Sequence, residues 1–163
     1  MNFASNMKIK EFFVDLSACQ RLAAGLAPLL KTGDILTFEG NLGTGKTEFC
    51  RALIHAIGYT EEVPSPTFNL VQIYEPTLDD LNTPTIWHID LYRIEKPEDI
   101  FELGIEEAFD TAITLIEWPD RMGHFLPKGN LEINIKMGEV DGSRKITISG
   151  NNHWKTRLER LVL

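Results

Sequence analysis

The most constraining stretch of this 163-residue chain is Gly40-Asn41-Leu42-Gly43-Thr44-Gly45-Lys46-Thr47. It fits G-x-x-x-x-G-K-[ST], the pattern of a phosphate-binding loop. Ile35-Leu36-Thr37-Phe38 before it is a β-prone apolar run, and residues 47–57 after it read as a helix stopped by Gly58. Strand, glycine-rich loop, helix is the order the chemistry needs. The glycines let successive N–H groups turn inward, and the helix directs its positive end at the same point. In this pattern Lys46 is expected to reach the β- and γ-phosphates and the Thr47 hydroxyl to ligand Mg²⁺. A dinucleotide fingerprint is a poor fit, because its third glycine would fall on Glu48.

Composition narrows the partners. The chain has 24 acidic and 16 basic side chains, a formal charge of −8, which argues against gripping a nucleic-acid backbone unaided. One nucleotide is still within reach, since the loop uses backbone dipoles and a single lysine. Hydrophobic residues at 43% and charged residues at 25% are ordinary globular values and argue against disorder. The length fits one α/β domain spanning residues 1–163. Cys19 and Cys50 have no metal-ligand or redox spacing and read as buried, reduced thiols. No apolar run has signal-peptide or membrane-spanning length, so the expectation is a soluble cytoplasmic protein with no membrane partner.

Along the chain, residues 7–14 suggest an edge strand. Ser17 and Gln20 have capping-box spacing for a helix reaching about Leu30, placed to cover a nucleotide. Val63-Pro64-Ser65-Pro66-Thr67-Phe68 is a loop stiffened by two prolines, and two readings stay open: a simple connector, or a switch whose Thr67 hydroxyl approaches the γ-phosphate and metal. Residues 68–74 look like a strand and residues 75–84 like a polar loop. Residues 85–90 are β-prone and end in Asp90. Pro97-Glu98-Asp99 opens a short helix ending at Gly104, followed by an acidic turn over residues 105–109. Residues 112–117 form the most apolar strand candidate and end in Glu117, with Pro119 close behind. Residues 131–137 and 145–149 alternate about Asp141-Gly142, as in an antiparallel hairpin. Asn152 is placed to cap a last helix. The pattern predicts an α/β, three-layer fold of the P-loop NTPase type, with a largely parallel core sheet and an antiparallel C-terminal hairpin.

A phosphate loop needs a carboxylate at the end of another core strand, aimed at Mg²⁺ or its waters. Asp90 and Glu117 both qualify. Glu117 follows the more continuous apolar run and is favoured for the metal, leaving Asp90 to orient a water or couple the γ-phosphate to a mobile loop. Arg93 and Arg121 lie soon after these acids, where either could contact phosphate in cis, though surface ion pairs are the commoner role of such arginines. His88 reads as a packing or hydrogen-bonding residue rather than a general base. His55, His124 and His153 have no metal-ligand grouping.

The phosphate loop, Ser65-Pro66-Thr67-Phe68, His88-Ile89-Asp90-Leu91-Tyr92-Arg93 and Leu115-Ile116-Glu117-Trp118-Pro119 occur in that order. Together they resemble the bacterial TsaE (YjeE) family of small P-loop ATPases. The resemblance implies a role in making the threonylcarbamoyl modification of tRNA, with TsaB and TsaD as partners and tRNA reached only through their complex. It implies ATP and ADP as ligands and Mg²⁺ as cofactor. By the same resemblance Leu42, Gly43, Thr44, Gly45, Lys46 and Thr47 hold the phosphates, and Thr47 and Glu117 serve the metal. Asp90 is implied to be needed for hydrolysis, Thr67 belongs to a switch loop, and Trp118 matches the family's tryptophan. Glu48 stands where family members often carry a second Thr. A small-molecule kinase and a non-catalytic ATP-sensing module are the other readings of the same loop. A GTPase is disfavoured by the lack of an N-K-x-D sequence.

Overall fold

The computed structural model describes residues 6–65 and 69–163. The chain begins with strand β1 (Met7–Val14) and helix α1 (Leu16–Leu26), which continues as a 3₁₀ turn over Ala27–Leu29. The expected reach to about Leu30 is met, but Pro28 has no N–H to extend the α-helical ladder, so the last turn tightens. The cap is not the one expected. Asp15 Oδ1 accepts from the Ala18 N–H at 2.7 Å, and Ser17 lies inside the helix, where its hydroxyl accepts from Arg21.

Strand β2 (Ile35–Glu39) leads through the phosphate loop into α2 (Lys46–Ile57), which Gly58 ends at φ +139°. Next come β3 (Val71–Tyr74), β4 (Ile86–Asp90), a 3₁₀ segment over Pro97–Leu103, α3 (Glu106–Thr111) and β5 (Ile113–Glu117). A second 3₁₀ segment, Pro119–Phe125, precedes β6 (Leu131–Met137), β7 (Arg144–Gly150) and α4 (Asn152–Arg157). Asn151, rather than Asn152, caps α4: its Oδ1 accepts from the Trp154 N–H at 3.1 Å.

The strands make one seven-stranded sheet in the order β1-β7-β6-β2-β5-β4-β3. β6, β2, β5 and β4 run parallel; at one edge β3 pairs antiparallel with β4, and at the other β7 pairs antiparallel with both β6 and β1. The expected hairpin is present, and it does more than extend the sheet. Its first strand, β6, is a parallel partner of β2 as well as the antiparallel partner of β7.

Period-2 alternation sends side chains to two apolar layers. Leu36, Phe38, Ile86, Ile113 and Leu115 pack under α1 and α2. Ile35, Ile89 and Ile116 pack on the opposite face with Ile100, Ile105 and Met122. Because β2, β4 and β5 are buried on both faces, their sequences are nearly continuous apolar runs.

Asp34, just before β2, ties the C-terminal helix to this core. Its carboxylate accepts from Arg157 Nη1 at 2.8 Å and Nη2 at 2.6 Å, and from the Lys31 N–H at 2.7 Å. The Arg157 guanidinium also donates to the Leu29 carbonyl and lies 4.1 Å from the centre of the Trp154 ring. Asp34→Ala would leave a largely buried guanidinium without its carboxylate. We expect a loss of about 3 kcal/mol, read as a lower urea midpoint with an unchanged slope.

Candidate functional site

Parallel strands end on the same edge of a sheet, and ligands of open α/β folds sit at that edge. Here β2 hands the chain to the phosphate loop while β4 and β5 end in carboxylates. Asp90 and Glu117 are register partners at the end of the β4–β5 ladder, so the structure brings the two acids together. Both are buried, and both line a cleft of about 430 Å³ that also takes in residues 42–49.

The loop itself is built on left-handed glycines. Gly40, Gly43 and Gly45 have φ of +154°, +80° and +102°. A Cβ on Gly40 would press on the Ile135 carbonyl oxygen and lie 2.6 Å from Thr44 Oγ1, so here space as well as conformation demands glycine. Gly43 and Gly45 have open space around them, and only their conformation requires glycine. Leu42 is exposed at the loop's rim, and Thr44 is buried, donating to the Asn41 carbonyl at 3.0 Å.

Lys46 is the first residue of α2 and is itself buried. Its Nζ donates to the Gly40 carbonyl at 2.6 Å and the Asn41 carbonyl at 2.9 Å, and lies 4.4 Å from the centre of the Trp118 ring. Burial pulls its pKa below the ordinary lysine value, and the Glu117 and Asp90 carboxylates offset this only in part. One turn of backbone thus gathers a helix N-terminus, positive-φ glycines and a desolvated ammonium. That set suits a polyphosphate, which could replace the two loop carbonyls as the partner of Lys46.

Across the cleft the Thr47 hydroxyl donates to Glu117, at 2.8 Å from Oε1 and 3.1 Å from Oε2. A hydroxyl beside a carboxylate is a hard-oxygen donor pair suited to Mg²⁺. Asp90 Oδ1 accepts from the Tyr92 N–H at 2.9 Å, which fixes its side chain at the strand end. Thr67 lies outside the described residues. Trp118 adopts a left-handed conformation, φ +59°, that a bulky residue rarely takes. Its ring tilts against Tyr92 at a centroid distance of 4.9 Å and covers Lys46.

Other neighbours were not legible in the sequence. Arg144 at the start of β7 donates through Nε to the Thr44 carbonyl at 2.8 Å and lines the cleft, as do Cys19 and Gln20 of α1. Cys50 is buried as expected, but Cys19 is only half-buried, because it stands on this rim. α1 stands beside the loop and lines the cleft with Leu16, Cys19 and Gln20. No local signal marked Arg144, whose place depends on strand pairing with β1 and β6.

A strand, a glycine loop and a helix at the end of a largely parallel sheet define a P-loop NTPase-like α/β protein. A family model described as threonylcarbamoyl adenosine biosynthesis protein TsaE matches residues 13–146, and the chain belongs to that family. It is 43% identical to the tRNA threonylcarbamoyladenosine biosynthesis protein TsaE of Rickettsia bellii over 125 residues, covering 75% of this chain and 82% of the relative. The TsaE of Bacillus subtilis is 34% identical over 149 residues, covering 90% and 87%. The crystal structure of Bacillus subtilis YdiB superposes with a TM-score of 0.76 at 30% identity, covering 96% of this chain and 97% of that one. The family is thus that of tRNA threonylcarbamoyladenosine biosynthesis. No helix among the described residues is long and apolar enough to cross a membrane.

The close fit at Gly40 yields a paired expectation. Gly40→Ala should cost about 2 kcal/mol or more, since clash adds to left-handed strain. Gly142→Ala, at φ +78° with open space around it, should cost about 1–2 kcal/mol from conformation alone. Chemical denaturation of the two variants side by side checks the difference.

Proposed function

We propose that this chain is an Mg²⁺-dependent ATPase, slow alone, that supports turnover of a complex with TsaB and TsaD during tRNA threonylcarbamoyladenosine modification. The observation that carries the reading is the Thr47–Glu117 hydrogen bond. It brings the loop's expected metal ligand to the carboxylate at the end of β5, from sequence positions far apart. The relatives' names supply the pathway, and TsaB, TsaD and ATP enter through the family resemblance.

In this reading the amides of residues 42–47 hold the phosphates, and Lys46 exchanges its two loop carbonyls for phosphate oxygens. Thr47 and Glu117 would hold Mg²⁺, which when bound would supply charge neutralisation at the phosphates. Asp90, held by the Tyr92 amide, orients the attacking water and takes up its proton. Trp118 keeps water off the Lys46 ammonium. Thr67 belongs to a switch loop that senses the γ-phosphate. Catalysis is then positioning and charge stabilisation with no covalent intermediate on the protein.

The net charge of −8 favours docking on protein partners, with tRNA contacted only through them. A small-molecule kinase would need cationic residues on a closing lid, and residues 75–84 contain neither Lys nor Arg.

The test is ATP hydrolysis by the purified chain, alone and with TsaB, TsaD and tRNA. Basal turnover should be slow, rise with the partners, and fall by about 100-fold or more in Lys46→Ala. Tight ATP binding without hydrolysis under every condition would instead make the chain a nucleotide sensor. In that case Glu117→Ala should keep its output as long as it still binds ATP.

A further inference from the structure

Behind Glu117 lies a group that the proposed mechanism does not use. His88 sits on β4, two positions before Asp90 and therefore on the same face of the sheet. It is completely buried, and its Nε2 lies 2.7 Å from Glu117 Oε2. A carboxylate only accepts, so the ring N–H donates. The two oxygens of Glu117 are thereby divided. Oε2 makes its shorter contact with His88, at the back of the site, and Oε1 with Thr47, at the cleft.

We propose that His88 is a positioning residue for Glu117, holding one carboxylate oxygen so that the other stays aimed at the metal beside Thr47. The inference rests on the Mg²⁺ role proposed for Glu117. Its physical basis is that a carboxylate on a flexible three-torsion side chain must be locked from behind to serve as a ligand. The ring cannot turn away, because Ile86 and Leu115 pack on the same layer and α2 closes over it. Cys50 of α2 completes this backing: its sulfur, a His88 ring nitrogen and a Glu117 oxygen lie within 4.8 Å of one another.

The trio is better suited to orienting Glu117 than to binding a soft metal of its own. Cys50 is completely buried on α2, where its sulfur packs against the pair. The hydrogen bond between His88 and Glu117 already uses the atoms such a metal would take. His88 Nδ1 has no hydrogen-bond partner among the described residues, so the ring is held by packing and by the single bond to Glu117.

Two substitutions separate reach from polarity. In His88→Gln the amide N–H extends to about where Nε2 lies, whereas in His88→Asn it stops near the Nδ1 position. The readout is the Mg²⁺ concentration that half-maximally tightens binding of a fluorescent ADP analogue. His88→Asn should raise that concentration about tenfold or more while leaving metal-free ADP affinity within about twofold. His88→Gln should stay within about threefold of the parent chain. Equal shifts in both variants, or a shift in neither, would overturn the proposal.

Glu117→Gln distinguishes this failure from that of the reading beneath it. If Glu117→Gln raises the Mg²⁺ requirement and His88→Asn does not, only the role of His88 falls. If Glu117→Gln changes nothing, the metal site and this inference fall together. A measurement on the unaltered chain covers the case in which a variant does not fold. The His88 Nε2–H resonance should move when Mg²⁺ joins the ADP complex, and a resonance unmoved by the metal overturns the inference.

Discussion

A carboxylate at the end of a central strand, almost sealed from solvent, is the constraint around which this site is organised. Burying an unpaired charge costs several kcal/mol, so Glu117 is tolerable only where donors meet it. Thr47 and His88 supply them from α2 and β4, and Lys46 adds a favourable charge. Each donor depends on parallel registry. Were β4 to slip by one residue against β5, His88 would face the opposite layer and Asp90 would leave its rung beside Glu117. The continuous apolar runs of β2, β4 and β5 prevent this, since both of their faces are packed.

The turn that follows β5 stores conformational strain next to this charge. Trp118, directly after Glu117, is held left-handed at a cost of order 1–2 kcal/mol for a residue with a Cβ. Packing determines the conformation. Its N–H donates to the Phe38 carbonyl, its ring lies on Tyr92, and the Lys46 ammonium sits against its face. Such outliers persist where the surroundings over-determine them, often at functional sites. Lys46, spending its donors on its own loop, is in a position where an arriving anion would redirect it.

Much of this was legible in the sequence because the signals were local. The phosphate motif, the apolar strand before it, the strands ending in Asp90 and Glu117, and the Asp141-Gly142 turn all reflect short-range rules. The caps were misplaced by a residue or two, because Ser17 and Asn152 have the same chemistry as the true caps Asp15 and Asn151. Only backbone geometry separates them. Arg144 and the His88–Glu117 bond were invisible for a different reason. They arise where distant strands come into register, and no local periodicity encodes that. The dual pairing of β6 was hidden likewise, since alternation identifies a strand and its exposed face but not how many neighbours it has.

The sheet order also bears on when the site can exist during synthesis. β1 has one neighbour, β7, near the other end of the chain, and the loop is fastened to β7 through Arg144 and crowded by β6 at Gly40. A nascent chain that has produced β2 and α2 holds the motif without its far supports. β1 cannot pair until β7, the last strand of the sheet, has been made. Pairings of such long sequence separation are slow to close and leave unpaired edges exposed meanwhile. The supports of the nucleotide loop on β6 and β7 therefore all lie C-terminal to the loop itself.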